Sequence, residues 1–254
     1  MKNVKYWAGL FDSDGSFDID PTKRENGSYY INARATLYQK NPAPLELLAA
    51  EYGVEIKPSK NCFCVSLRGK NARMFIQEIK QHLVIKRNVA EFVLSVAQTT
   101  VADIKALRQE VKNARATRTS EKDFPSRRWM AGYIDGDGCI HSSYRKRDGN
   151  LEFKLAVVSH ESQNAGLLLM QKAFGGIITE QRDVRKWSVT LSVTKGKQVL
   201  EFFTQHLLMK KQQADLVLDC LRTGKHLLRK GATPEGNLRI HKTLQQLKLL
   251  ATTK

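Results

Sequence analysis

Two short acidic stretches have the residue types and spacing to do chemistry: Asp12-Ser13-Asp14-Gly15 and Asp135-Gly136-Asp137-Gly138. Each follows an apolar run, Trp7-Ala8-Gly9-Leu10-Phe11 and Met130-Ala131-Gly132-Tyr133-Ile134, that reads as a helix. Carboxylates at a helix C-terminus face the negative end of the macrodipole, a placement that is unfavourable without a compensating positive charge. The small pairs Ala8-Gly9 and Ala131-Gly132 would let two such helices approach closely. Packed about a pseudo-twofold axis, the helices would bring Asp14 and Asp137 together, where like charges repel unless a cation intervenes. Hard carboxylate oxygens suit Mg²⁺. A calcium loop is excluded, because its fifth and sixth positions require Asp or Asn and then Gly, whereas this chain has Ser16-Phe17 and Cys139-Ile140. A single Asp-Gly pair would signify a tight turn; its repetition favours a site.

The repetition extends well beyond the acids. Trp7 to Gly15 aligns with Met130 to Gly138 at an offset of 123 residues, which also pairs Asn3 with Ser126, two candidate N-caps. His82-Leu83-Val84-Ile85-Lys86 aligns with His206-Leu207-Leu208-Met209-Lys210, and Ala90-Glu91-Phe92-Val93-Leu94 with Ala214-Asp215-Leu216-Val217-Leu218, both at an offset of 124. The chain is a duplication.

Positioning the acids falls to the elements between these landmarks. Each copy begins with a helix, at 3–13 and 126–136, followed by strands at 16–22 and 28–39, and at 139–146 and 151–160. A helix at 43–52 or 162–174 stops at Gly53 or at Gly175-Gly176. Two further strands follow, at 54–59 and 62–68, and at 177–183 and 186–194, and helices at 70–81, 88–98, 196–205 and 212–223 close the copies. The expected fold is α+β: two pseudo-twofold-related αββαββα units, each an antiparallel sheet saddle backed by helices, with the motif helices packed at the centre. The halves span 1–98 and 126–223; a partly helical linker at 99–125, without strand character, joins them. A basic tail, 224–254, ends in an amphipathic helix from Leu238 to Leu250.

The 254 residues carry 42 basic and 25 acidic side chains, a net charge of +17. Such a balance points to a polyanion, most commonly nucleic acid. One face of each sheet is polar, with Asn32 and Arg34 in the first copy and Glu152 and Lys154 in the second, and a polar sheet face can lie in a DNA major groove. Cys62, Cys64, Cys139 and Cys220 form no C-x-x-C pair, which argues against structural zinc and for reduced thiols in an intracellular setting. No apolar run has the length of a membrane span, and the N-terminus lacks the apolar core of a signal peptide.

The two nine-residue motifs, Trp7 to Gly15 and Met130 to Gly138, resemble the LAGLIDADG motif of homing endonucleases, in the monomeric form with two motifs per chain. The resemblance covers most of the chain and implies a site-specific double-strand DNA endonuclease that hydrolyses phosphodiester bonds with two metals at a long asymmetric site. It assigns the metals to Asp14 and Asp137, with the backbone carbonyls of Ser13 and Gly136 assisting, and leaves Asp12 and Asp135 to shape the helix ends. Mg²⁺ is the expected cofactor, with Mn²⁺ substituting and Ca²⁺ binding without cleavage. Lys86 and Lys210 would stabilise charge on the scissile phosphate, and Gln39 and His160 would orient the attacking water. Gln39 falls on the apolar parity of its strand and His160 does not, so a bulge intervenes or Ser159 is the true counterpart. The base-facing residues would be Asp18, Asp20, Asn32, Arg34, Thr36, Ser66 and Arg68, then His141, Ser143, Glu152, Lys154, Ser188 and Thr190, with arginines suited to guanine and Asn32 to adenine. The competing reading is a non-cleaving nucleic-acid binder of the same fold, such as an intron RNA maturase.

Overall fold

Alternating apolar and polar residues form two antiparallel sheets, and the apolar runs between them form the helices that cover one face of each. The computed structural model describes residues 3–116, 125–160, 165–181, 184–228 and 231–250. The chain divides into two units, Met1–Tyr133 and Ile134–Lys254. Among the described residues no helix is long and apolar enough to cross a membrane.

In the first unit, helix α1 (Val4–Ser13) leads directly into β1 (Gly15–Lys23) and β2 (Tyr29–Gln39), followed by α2 (Ala43–Tyr52), β3 (Lys57–Ser59), β4 (Cys62–Arg68) and α3 (Gly69–Ile79). A 3-10 turn at Lys80–His82 and α4 (Arg87–Val96) follow, then β5 (Thr100–Val101), α5 (Ile104–Ala116) and the start of α6 (Arg127–Asp137). The strands run in the order β1-β2-β4-β3. The inward side chains alternate with the outward ones, so Phe17, Ile19, Ile31, Ala33, Leu37, Val65 and Leu67 are buried under the helices. Phe11 of the motif helix stacks on Phe17 at 5.4 Å and meets the tilted Phe75 ring at 4.6 Å, which locks α1 to both the sheet and α3. Gly53 ends α2 with φ 62°, a conformation that costs a residue without Cβ little.

The second unit repeats the order. The end of α6 runs into β6 (Gly138–Arg145) and β7 (Asn150–His160), then α7 (Ala165–Phe174), β8 (Ile177–Gln181), β9 (Val184–Thr190), α8 (Val193–Phe203), a 3-10 turn at Thr204–His206, α9 (Lys211–Thr223) and α10 (Pro234–Leu250). Its sheet order is β6-β7-β9-β8. Phe153, Trp187 and Phe203 are fully buried, and the Trp187 indole donates to the Gly175 carbonyl at 2.8 Å, tying the end of α7 to β9.

The structure corrects several sequence expectations. The strand expected at 54–59 is confined to Lys57–Ser59, and the one at 186–194 ends at Thr190. Residues 99–125 do contain a strand: Thr100 and Val101 pair with Tyr30 and Tyr29. Gln98, at φ 70°, turns the chain so that its amide reaches the Ile31 carbonyl at 2.7 Å. Asn3 makes no side-chain cap, whereas the Ser126 hydroxyl accepts from the Trp129 amide at 3.2 Å. Residues 117–124, 161–164 and 182–183, which the expected linker, helix and strand included, lie outside the described residues.

Linker and tail serve the same purpose in their own units. Helix α5 packs on α4 and β1, burying Leu107 and Val111, and α10 packs on α9, β6 and β7, burying Leu244. Asn237 of α10 is fully buried, and its amide donates to the carbonyls of Gly149 and His226 at 2.8 and 3.2 Å. The His241 ring meets the Ser142 hydroxyl at 2.8 Å.

Within the first unit α1 and the beginning of α6 touch backbone to backbone. A Cβ on Gly9 would collide with the Trp129 carbonyl oxygen, and one on Gly132 with the carbonyl oxygen of Tyr6. Neither obstacle is a flexible side chain, so the helices would have to separate. Gly9→Ala is therefore expected to destabilise the protein by about 3 kcal/mol, read as a lowered midpoint in urea denaturation; an unchanged midpoint would refute the close approach.

Candidate active site

The acidic motifs are built into a reciprocal clamp that occurs in both units. Asp12 is fully buried, yet its carboxylate accepts from the amides of Val84, Ile85 and Lys86 at 2.7, 3.1 and 2.8 Å. These amides precede and cap α4, so the carboxylate sits at a positive helix end. In return, the Lys86 ammonium donates to the carbonyls of Phe11, Ser13 and Gly15 at 2.9, 2.8 and 2.7 Å, around the negative end of α1. Asp135 likewise accepts from Leu208, Met209 and Lys210 amides at 2.7, 3.2 and 2.9 Å. The Lys210 ammonium donates to the carbonyls of Ile134, Asp135 and Gly136. Each lysine thus supplies the positive charge that lets two carboxylates stand at one helix C-terminus.

A fourth donor reaches Asp12: the Trp129 indole N–H, at 2.8 Å and buried. Burial pushes the Asp12 carboxyl above its ordinary value, while the Val84, Lys86 and Trp129 donors and the Lys86 charge pull it back.

The second acid of each motif is differently placed. Asp14 is the C-cap residue of α1 and exposed; Asp137 is the last residue of α6 and half-buried. Gln39, at the end of β2, donates from Nε2 to Asp14 Oδ2 at 2.6 Å. Its apolar parity, an anomaly in the sequence, is what aims it at the motif: it is 9% exposed on the helix-covered side of the sheet. Register identifies its counterpart. Gly15 pairs with Leu37 and Gly138 with Val157, so Gln39 corresponds to Ser159, which is buried on the same side of its sheet. His160 ends β7 opposite Val184; its side chain lies outside the described residues. The pairing in the expectation moves from His160 to Ser159.

The open face of the first sheet carries Asp18, Asp20, Asn32, Arg34, Thr36, Ser66 and Arg68, which the strand register places on one side. Asp18 lies opposite Arg34 and pairs with it at 3.4 Å and with Arg115 at 3.0 Å; Asp20 pairs with Arg68 at 3.4 Å. Thr36 is buried and bonded to Ser66 at 3.2 Å. A groove of about 630 Å³ runs over this face, and its walls include Ser16, Tyr38, Lys57 and Cys64. Those four extend the alternation of Arg34 and Thr36, the signal by which sequence could have found them. In the second sheet His141, Ser143, Glu152, Lys154, Ser188 and Thr190 share a face with Cys139, Val158 and Lys186. Burial and the cations of Lys248, Lys186 and Lys154 hold the His141 pKa below its usual value, so the ring is neutral at pH 7.

Comparison with known proteins bears on both motif and fold. The sequence profile of the LAGLIDADG endonuclease family matches residues 130–220. DNA endonuclease I-CvuI of Chlorella vulgaris is 29% identical over 100 residues, which is 37% of this chain and 62% of that protein's length. The crystal structure of the LAGLIDADG meganuclease I-AabMI bound to uncleaved DNA superposes with a TM-score of 0.71 at 18% identity, covering 96% of this chain and 98% of that one. The chain thus resembles that family over residues 130–220 and shares the fold of the meganuclease over nearly its whole length. I-GzeII, in complex with its DNA target, gives 0.72 at 16% identity over 94% of this chain and 96% of that one. I-SmaMI, solved on an uncleaved DNA target in the presence of calcium ions, gives 0.66 at 18% over 96% and 98%.

At the motif ends the donors that could be offered to a metal are all oxygen. Among the described residues no group of three or more His, Cys, Asp or Glu could form a closed metal cage. One carboxylate per motif, Asp14 exposed and Asp137 half-buried, fits a hard divalent cation that keeps water and substrate phosphate in its remaining positions. This donor set lacks the nitrogen and sulfur ligands that make up structural zinc sites.

Proposed function

We propose that this protein is a site-specific double-strand DNA endonuclease that works as a monomer with a divalent cation, Mg²⁺ in the first instance. The observation that carries the reading is the contact of Gln39 with Asp14 at the end of a clamped motif helix, in a chain where the motif and the clamp both occur twice.

Asp14 and Asp137 would hold the cations, helped by the carbonyls of Ser13 and Gly136. Those carbonyls accept from Lys86 and Lys210 and keep a second lone pair each. Once bound, the cation supplies charge stabilisation at the scissile phosphate and lowers the pKa of water. Gln39 fixes the orientation of the Asp14 carboxylate through Oδ2 and would offer its own amide oxygen to a water proton; Ser159 or His160 would serve the second half. Lys86 and Lys210 fix the carbonyls and place positive charge beside the reacting phosphate. The two polar sheet faces would bind the major groove over about 20 base pairs. Arg34 and Arg68 suit guanine, Asn32 suits adenine, and the cationic excess contacts phosphate. Because the faces differ, the site should be asymmetric. DNA-bound structures of the relatives and the +17 charge support this reading.

The test is incubation with Mg²⁺ and a duplex library randomised over the expected site, with sequencing of the cut ends. Recovery of one long asymmetric sequence, cut on both strands, is expected. Bound DNA without cuts would replace the enzyme by a non-cleaving binder. Sedimentation at a mass well above 28.8 kDa would refute the monomer.

A further inference from the structure

We infer that Trp129 is a positioning residue for the first acidic site, acting through Asp12; this rests on the proposed endonuclease reading. Trp129 opens the second motif helix, α6, and its place in the chain gives no hint of a role at the first motif. It is 1% exposed, with its ring stacked on Tyr133 at 4.9 Å and an interplanar angle of 13°. The Trp129 carbonyl abuts Gly9 of α1, so backbone contact holds the ring beside the first motif.

The geometry makes the indole more than packing. Its N–H reaches Asp12 Oδ2 at 2.8 Å, the same oxygen that accepts from Val84 at 2.7 Å, while Oδ1 accepts from Ile85 and Lys86. Four donors fix the carboxylate in one rotamer, three of them backbone amides and the fourth the Trp129 indole. Asp12 holds the turn from Val84 to Lys86, and that turn aims the Lys86 ammonium at the carbonyls of Phe11, Ser13 and Gly15. Those carbonyls surround Asp14. Loss of the indole donor leaves Oδ2 with less fixed geometry, and the slack passes along this route to the acid that would bind the cation.

Trp129→Phe removes the donor and part of the ring, and Trp7→Phe is the matched control. Trp7 is equally buried, lies in α1 and packs edge-on against Tyr6 at 5.6 Å. The first readout needs neither cation nor DNA. Amide exchange at Val84, Ile85 and Lys86 should accelerate about tenfold in Trp129→Phe relative to Trp7→Phe, as expected for one lost hydrogen bond to a buried charge. The second readout is cleavage of a target recovered from the library. Trp129→Phe should slow one strand about tenfold more than the other, so nicked duplex accumulates, while Trp7→Phe slows both alike.

Equal exchange in the two variants would overturn the inference, whatever the cleavage result. Accelerated exchange with no strand bias would assign Trp129 to stability alone and also overturn it. If the wild-type protein cuts no DNA, the endonuclease reading falls, and the exchange result still reports whether the indole sets the clamp. If Trp129→Phe does not fold, the wild-type indole proton decides. Its NMR resonance should be exchange-protected and shift on Asp12→Asn; an unprotected or unmoved signal would refute the contact.

Discussion

Replacing either second motif acid by its amide, Asp14→Asn or Asp137→Asn, should abolish double-strand cleavage, lowering the rate by about a thousandfold or more, while DNA is still bound. The substitution is nearly isosteric. Asp14 is exposed and not part of the carbonyl cage, so the fold has little reason to notice the change. What changes is the ligand: a neutral amide oxygen in place of a carboxylate binds a hard divalent cation far more weakly. Gln39 also loses its charged acceptor, since its Nε2 donates to Asp14 Oδ2 at 2.6 Å. Cleavage of a supercoiled plasmid carrying the recovered site would separate the cases: intact circles for the double variant, and open circles if one half still works. Anisotropy of a labelled duplex with Ca²⁺ would confirm retained binding. Full linearisation by the double variant would remove both acids from the chemistry.

The contrast between these acids and their neighbours explains what sequence could and could not show. Spacing alone separated the two motifs and predicted helices ending at them, because 3.6-residue periodicity and the Gly-rich close approach are local properties. Alternation placed Asn32, Arg34, Glu152 and Lys154 on a common kind of face, since strand parity survives any tertiary arrangement. The counterpart of Gln39 was beyond it. Asp18 pairs with Arg34 across the first hairpin and His141 with Lys154 across the second, so the first loop is three residues longer. An offset of 123 at the motif therefore becomes 120 on the second strand, and matching by motif lands on His160 where register gives Ser159. The clamp was equally hidden. Asp12 and Lys86 are 74 residues apart and Asp12 and Trp129 are 117 apart, separations at which no local pattern operates.

That clamp carries the second large expectation, on stability. Asp12→Ala would leave the amides of Val84, Ile85 and Lys86 and the Trp129 indole without their acceptor, in a place with no water access at the carboxylate. Removing one partner of a buried charged network costs about 3–5 kcal/mol. Lys86→Met keeps the side-chain volume and removes three donors from carbonyls at the end of α1, so about 2 kcal/mol is the expected loss. The two substitutions should not add. Asp12 holds the turn that aims Lys86, and each residue caps the helix end of the other, so once the first is gone the second has less geometry to lose. A double-mutant cycle in urea should show the pair less destabilised than the sum of the singles by about 1–2 kcal/mol. Strict additivity would mean that acid and lysine act as independent caps. The same cycle on Asp135 and Lys210 should repeat the coupling, because there too a carboxylate takes three amides from the turn that carries the lysine. The motif acid that the proposed chemistry does not use is thus the one whose loss should cost the fold most, and the acid two residues later is the one assigned to the reaction.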